Sequence, residues 1–199
     1  MKILLLTFAI LTLCLLFRPV YHEPRVFRGY IAPETCDYII KQAEKRLHSS
    51  TVSKDKTLDE QIRKSETAWL DNEDPVISEV VNKCVSNTDR PFRNCEKLQV
   101  LKYTTGGFYK THQDAFENDT NMRMHTCIIA LNSGYEGGET EFPNINKKYK
   151  LEKGDMLLFD NTNDWGWMTT ESEHGGLPVT EGEKWICNLW IRTYPYQNV

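Results

Sequence analysis

The 199-residue sequence has no Cys-x-x-Cys pair, no long basic run, no internal repeat and no low-complexity tract. The first absence argues against a zinc knuckle or thioredoxin-like redox chemistry, both of which need closely spaced thiols. The second, with a formal net charge of -4, argues against nucleic-acid binding, where Lys and Arg must neutralise phosphates. A chain of this length supports one domain with a real core and falls short of the length that suggests two. At 40% hydrophobic and 11% aromatic residues, it lacks the composition of a disordered protein. Small molecules or other proteins are the partners this balance favours.

One segment stands apart from the domain. In MKILLLTFAILTLCLLFRP a lysine precedes an unbroken apolar run from Ile3 to Phe17, which marks residues 1–20 as an export or anchoring segment and 21–199 as the folded domain. The run is shorter than the ~20 residues a spanning helix usually needs, and no small-x-small cleavage site follows, so signal peptide and short signal anchor both fit. Arg18, Arg25 and Arg28 leave the orientation open. Either reading predicts the endoplasmic reticulum or secretory pathway, with the domain lumenal or membrane-anchored. That route permits disulfides among the six cysteines. Cys84 and Cys95, flanking the polar VSNTDRPFRN, are the expected bridge. Cys127 and Cys187 lie in apolar strand patterns and are expected as buried free thiols, while Cys14 belongs to the apolar segment. Asn118-Asp119-Thr120 is an N-glycosylation acceptor pattern.

APETCDYIIKQAEKRL predicts a helix with Cys36, Ile39, Ile40, Ala43 and Leu47 on one stripe and Pro33 in its first turn. DPVISEVVNKC predicts a second, starting at Pro75, with Val76, Ile77, Val80 and Val81 toward the core. Residues 48–61 between them are polar and patternless, a mobile surface loop or lid. After Glu96 the period changes to that of strands in KLQVLKY, MHTCIIALN, ETEF, DMLLFD and KWICNLWIR, separated by the turn signals TTGG, NSGYEGG and EKGD. Two helices followed by many strands predict an α+β fold, with the helices packed on one sheet of a β-sandwich or jelly roll.

Within KTHQDAFENDT, a stretch that otherwise reads as irregular loop, His112 and Asp114 stand one residue apart. On a strand such residues point to the same side and could share a metal ion, but the pair alone is a weak signal. Among the other four histidines, His22 and His48 lie outside the strand region, and His125 reads as half-buried and structural. His174 precedes a double glycine that permits close approach and lies in the strand-rich half, which makes it the candidate third ligand. Two imidazoles and a carboxylate suit non-haem Fe(II), and zinc would accept the same set. Ten residues on, Lys184 begins an apolar strand in which Lys184, Ile186, Asn188 and Trp190 share one face and Trp185, Cys187, Leu189 and Ile191 the other. A lysine on a barrel-lining face calls for an anionic partner, a carboxylate ligand being the natural one.

The chain resembles the Fe(II)- and 2-oxoglutarate-dependent oxygenases, and within them the prolyl 4-hydroxylase family. The likeness rests on IRKSETAWL, CEKLQVLKYTTGGFYKTHQD, GGETEFP and HGGLPVTEGEKW, in that order, and spans about residues 24–195. It implies a double-stranded β-helix (jelly-roll) core. It implies that His112, Asp114 and His174 bind iron, that Lys184 pairs with the distal carboxylate of 2-oxoglutarate, and that Tyr103 and Thr140 hydrogen-bond that cosubstrate. Tyr109, Arg123, Trp190, Arg63 and Glu96 match positions lining or supporting a peptide groove. Read from the residues alone, Tyr103, Tyr109 and Trp190 are ordinary aromatics, Arg123 and Glu96 a structural ion pair, and Arg63 a solvated side chain.

The activity so implied is hydroxylation of peptidyl proline at C4 with release of succinate and carbon dioxide, supported by L-ascorbate. Proline-rich or collagen-like peptides would be the substrates. The family's short, single-domain plant, algal and viral members are the nearer match, although GGFY replaces the usual Gly-Gln-x-Tyr. An oxygenase acting on lysine and a silent module binding proline-rich peptide are the alternatives. Lysine at 184, where lysyl hydroxylases usually carry arginine, and Trp190 favour proline over lysine; the complete set His112, Asp114, His174 and Lys184 speaks against a silent module.

Overall fold

The computed structural model describes residues 17–51 and 59–196. Most of the export or anchoring segment therefore lies outside the described residues, and among those described no helix is long and apolar enough to cross a membrane. Two helices, α1 (Pro33–Glu44) and α2 (Pro75–Val85), accompany a largely antiparallel β structure. The strands are β1 (Arg25–Phe27), β2 (His48–Ser49), β3 (Arg63–Lys64), β4 (Glu66–Leu70), β5 (Leu98–Tyr103), β6 (Phe108–His112), β7 (Arg123–Ala130), β8 (Glu136–Gly137), β9 (Thr140–Phe142), β10 (Lys147–Tyr149), β11 (Met156–Asp160), β12 (His174–Gly176), β13 (Val179–Glu181) and β14 (Lys184–Arg192). A seven-stranded sheet runs β1-β11-β7-β14-β5-β4-β2, and a five-stranded sheet runs β10-β9-β12-β6-β3. This is the expected α+β jelly roll.

Alternation along the central strands divides the interior into two layers. On β14, Trp185, Cys187, Leu189 and Ile191 pack toward the helices, meeting Cys36, Ile39 and Ala43 of α1 and Ile77, Val80 and Val81 of α2. Ile186 faces the other way, into the space between the sheets with Leu101, Ile128, Leu157, Phe159 and Phe142. At ~25 cal/mol per Å² of apolar surface removed from water, burial of both faces of this sheet stabilises the fold. Helix α1 starts at Pro33, whose missing N–H costs nothing in a first turn. Asp74 caps α2, accepting from the backbone N–H groups of Val76 and Ile77, and Tyr38 of α1 donates to its other oxygen at 2.7 Å, which ties the helices together. Ile40, Leu47 and Val76 are only partly buried, at the margins of their stripes.

Three expectations are corrected. The start of the supposed loop at 110–120 is strand, since β6 extends to His112. It escapes the strand pattern because it lies at the barrel mouth, where both of its faces are partly open. Cys84 and Cys95 form no bridge: Cys36, Cys84, Cys95, Cys127 and Cys187 are all free and buried. Both expected partners sit in the apolar layer under the helices, where burial pushes the Cys95 thiol up to about 12 and leaves it inert. Residues 48–61 include an edge strand, β2 paired with β4, and the Ser50 and Ser65 hydroxyls meet at 2.8 Å, so this end is fixed. The centre of the proposed lid, residues 52–58, lies outside the described residues.

Candidate metal centre

Antiparallel pairing of β6 with β12 sets His112, the last residue of one, opposite His174, the first residue of the other. Asp114 lies beyond the end of β6 in a bend, so it is not strand alternation that brings it to the pair. Thr126 of β7 donates to Asp114 Oδ2 at 2.7 Å and itself accepts from Asn161 Nδ2 at 2.9 Å, which fixes the carboxylate. Asp114 Oδ1 then stands 3.6 Å from His112 Nε2, and Oδ2 stands 3.6 Å from His174 Nε2. Among the described residues these three are the one group of His, Cys, Asp or Glu whose ligand atoms all lie within 4.8 Å of one another.

Each ring is held through its other nitrogen. His112 Nδ1 lies 2.8 Å from Lys110 O and His174 Nδ1 lies 3.0 Å from Ser172 O. A carbonyl only accepts, so the proton sits on Nδ1 and the Nε2 lone pair is free to bind a cation. Burial draws His174 down to about 4 against the pull of Asp114, which keeps the ring neutral. Burial would raise the Asp114 carboxyl, but the His174 and His112 imidazoles when protonated, and the Arg123 guanidinium, hold it well below the usual carboxylate range. With His174 uncharged, Arg123 and the Thr126 hydroxyl remain to stabilise the carboxylate. Two neutral imidazole nitrogens and one carboxylate oxygen on one side of a point fit ferrous iron and leave its other positions open.

A small cavity, open on one side, adjoins this cluster, lined among others by Tyr103, Ile128, Thr140, Lys184 and Asn188. Lys184 is 5% exposed and donates to Gly138 O at 2.6 Å. No carboxylate pairs with it among the described residues. Burial lowers its pKa to about 8, Lys150 adds to the effect, and Glu139 opposes it. The close approach requires glycine at 138: its φ is +68°, and a Cβ there would lie 3.1 Å from Lys184 Cδ. A buried ammonium short of a counter-ion in this cavity fits the distal carboxylate of 2-oxoglutarate. Both glycines after His174 line this cavity, and Gly175 answers to strand packing as well, because a Cβ there would press to 3.0 Å on the Tyr109 carbonyl of β6.

Six of the residues singled out in the sequence, Tyr103, Tyr109, His112, Thr140, His174 and Lys184, line this one cavity, with Asp114 against both histidines. Tyr109 stacks on the His112 ring at 3.7 Å, and Arg63 packs over Tyr109 at 4.6 Å. Arg63 is therefore buried, and its Nη2 has no hydrogen-bond partner within the protein. Arg123, Glu96 and Trp190 form a layer behind Asp114. Arg123 donates to both Glu96 oxygens, at 2.6 and 2.9 Å, and lies 3.7 Å from the Trp190 ring. The ion pair read from the residues alone is present, with an unforeseen third member, as Arg192 also donates to Glu96 at 2.8 Å. Thr126, Asn161 and Lys150 were missed as well. Only Thr126 carried a signal, since alternation sets it with Ile128 and Ala130 on the inner face of β7.

Residues 98–192 match the 2OG-Fe(II) oxygenase superfamily. A protein of Acanthamoeba polyphaga mimivirus that bears the name of a prolyl 4-hydroxylase is 34% identical over 183 residues, covering 86% of this chain and 75% of the relative. Prolyl 4-hydroxylase 2 of Arabidopsis thaliana is 29% identical over 214 residues, covering 92% and 72%. The solved viral collagen prolyl hydroxylase of Paramecium bursaria Chlorella virus-1, in its 2OG complex, superposes with a TM-score of 0.69 at 30% identity, covering 87% of this chain and 97% of that one. The chain belongs to the prolyl 4-hydroxylase family of 2OG-Fe(II) oxygenases.

Proposed function

We propose that this protein hydroxylates peptidyl proline at C4, consuming dioxygen and 2-oxoglutarate and releasing succinate and carbon dioxide. The observation that carries the reading is the convergence of His112, Asp114 and His174 beside a cavity that holds a buried ammonium without a carboxylate partner. Iron, when bound, would activate dioxygen, the oxidant: one oxygen atom would go to 2-oxoglutarate, which is oxidised to succinate and carbon dioxide, and the other into the substrate C–H bond. Everything else falls to the chain. His112 and His174 present Nε2 because backbone carbonyls hold the protons on Nδ1, and Asp114 presents a carboxylate that Thr126 orients. Lys184 takes the distal carboxylate of 2-oxoglutarate, and Tyr103 and Thr140 donate hydroxyl hydrogen bonds to the same molecule. Ile128 and Ile186 give the cavity an apolar wall.

Tyr109, with Arg63 behind it, and Trp190, with Arg123 and Glu96 behind it, border the path of the peptide. The partners are proline-rich or collagen-like peptides, with L-ascorbate sustaining turnover by keeping iron reduced. Residues 1–20 associate the protein with a membrane of the endoplasmic reticulum or secretory route. Full chain incubated with Fe(II), 2-oxoglutarate, ascorbate and such peptides should form succinate and add one oxygen atom to a proline. Oxygen found on lysine, or tight peptide binding with no succinate, would sink the proposal.

A further inference from the structure

Among the described residues, the exposed large hydrophobic side chains are Phe17, Val20, Ile62, Trp69, Trp165, Trp167 and Tyr194. Three of these seven, Val20, Trp165 and Trp167, belong to one place. Val20 N donates to Asp164 Oδ1 at 2.8 Å, and Asp164 N donates back to Val20 O at 3.0 Å. The chain leaving the apolar segment is thus bonded to the turn that carries Trp165 and Trp167. That turn is built, not frayed. Asn163 Oδ1 accepts from the N–H groups of both tryptophans at 3.0 and 3.1 Å, Asn163 O accepts from Gly166 N at 2.9 Å, and Thr162 bridges to Met168. The two indoles, 47% and 59% exposed, pack edge to face at 5.0 Å and face solvent.

We infer that the Asn163–Met168 turn is a bilayer-contact element, its two tryptophans resting among the lipid headgroups beside the inserted N-terminal segment. The inference rests on the membrane association proposed above. Reach supports it: Val20 is three steps along the chain from Phe17, the end of the apolar run, and at ~3.5 Å a step they span at most about 11 Å. A bilayer holding residues 3–17 therefore lies within that distance of Asp164, whose neighbour is Trp165. Indole suits that depth, with an apolar ring and one N–H donor.

The test uses full chain with phosphatidylcholine vesicles, with and without bromine on the acyl chains. Wild-type tryptophan emission should shift to the blue and be quenched by brominated lipid. The double variant Trp165→Ser, Trp167→Ser should still float with the vesicles but lose most of that quenching, whereas Trp69→Phe, at an exposed site on β4, should keep it. Wild type that fails to float overturns the membrane reading and this inference with it. Wild type that floats but is quenched no more than the double variant overturns this inference alone. An emission shift on adding proline-rich peptide without vesicles that the double variant lacks, with no quenching by brominated lipid, assigns the pair to the substrate rim and likewise overturns it.

Discussion

Replacing Lys184 with methionine separates a ligand-binding lysine from a structural one, because the two roles predict opposite effects on the empty protein. Burial takes the ammonium from 10.5 to about 8, so the folded chain holds a charge that the unfolded chain holds more easily. At ~1.4 kcal/mol per pH unit the cost is about 3 kcal/mol in the empty site. The sign follows from proton counting: between pH 8 and 10.5 the unfolded state binds more protons, so stability rises with pH across that window, and the cost is fully present below pH 8. Methionine keeps the aliphatic stem and drops the charge. Lys184→Met should therefore leave the melting temperature of the empty protein unchanged or higher near neutral pH, and should flatten its dependence on alkaline pH.

The loss should appear in 2-oxoglutarate binding. A carboxylate paired with this ammonium recovers about 3 kcal/mol, so the variant should bind the cosubstrate roughly a hundredfold more weakly. In the wild type, affinity should fall as pH rises above about 8, where the empty-site lysine begins to lose its proton. Both are measurable by calorimetric titration of protein loaded with a redox-inert divalent metal. A variant that melts well below wild type while binding 2-oxoglutarate equally well would refute the reasoning and reduce Lys184 to a prop for the Gly138 carbonyl.

Thr126→Val removes the hydroxyl that orients Asp114 and should weaken metal binding ~10- to 100-fold with little change in fold, read by metal content after dialysis against a weak chelator. Glu96→Gln leaves Arg123 and Arg192 buried without their shared carboxylate and should cost ~3 to 5 kcal/mol in urea unfolding. His125 lies between Asp160 (2.6 Å) and Asp89 (2.9 Å), and these acids outweigh burial and raise its pKa above 6.5. The stability it contributes is fully present below pH 6.5 and lost as pH climbs through the raised value, so His125→Gln should destabilise the protein in mild acid and much less in alkali. Cys84 and Cys95 should both alkylate in denaturant without reductant and neither should react in native buffer; a reductant requirement would restore the bridge.

How much of this was legible in the sequence depends on where each residue sits between core and mouth. Strands buried on both faces, such as β7 and β14, announce themselves through apolar alternation, and so the two faces of β14 could be assigned before any fold was known. At the mouth, β6 reads as loop because FYKTH has no buried face to pattern it. His112 and Asp114 were recognised for a partly wrong reason, since strand alternation does not bring them together; Thr126, supplied by a different strand, does. Glu96 and Arg123 were seen as a pair, but Arg192, far along the chain at the end of β14, looks like any charged strand terminus until the sheet closes. The disulfide failed because spacing across a polar turn says nothing about side-chain direction, and both thiols point into the layer beneath α2.

The same strand that seals the helix layer also carries the chemistry, and this makes register the quantity on which activity depends. β14 pairs Lys184 with Tyr103 of β5 and Trp190 with Thr126 of β7, so one strand aligns the candidate cosubstrate residues at one end with the support of the metal ligand at the other. A slip of one residue would turn Lys184 and Asn188 into the apolar layer and expose Cys187 and Leu189 to the cavity. Burial of charge would then cost several kcal/mol with no anion to offset it. The apolar face thus enforces the placement of the polar one. Substitutions on the helix side of β14 that keep volume should leave metal and cosubstrate binding intact, whereas those that open a cavity there should impair both sites together.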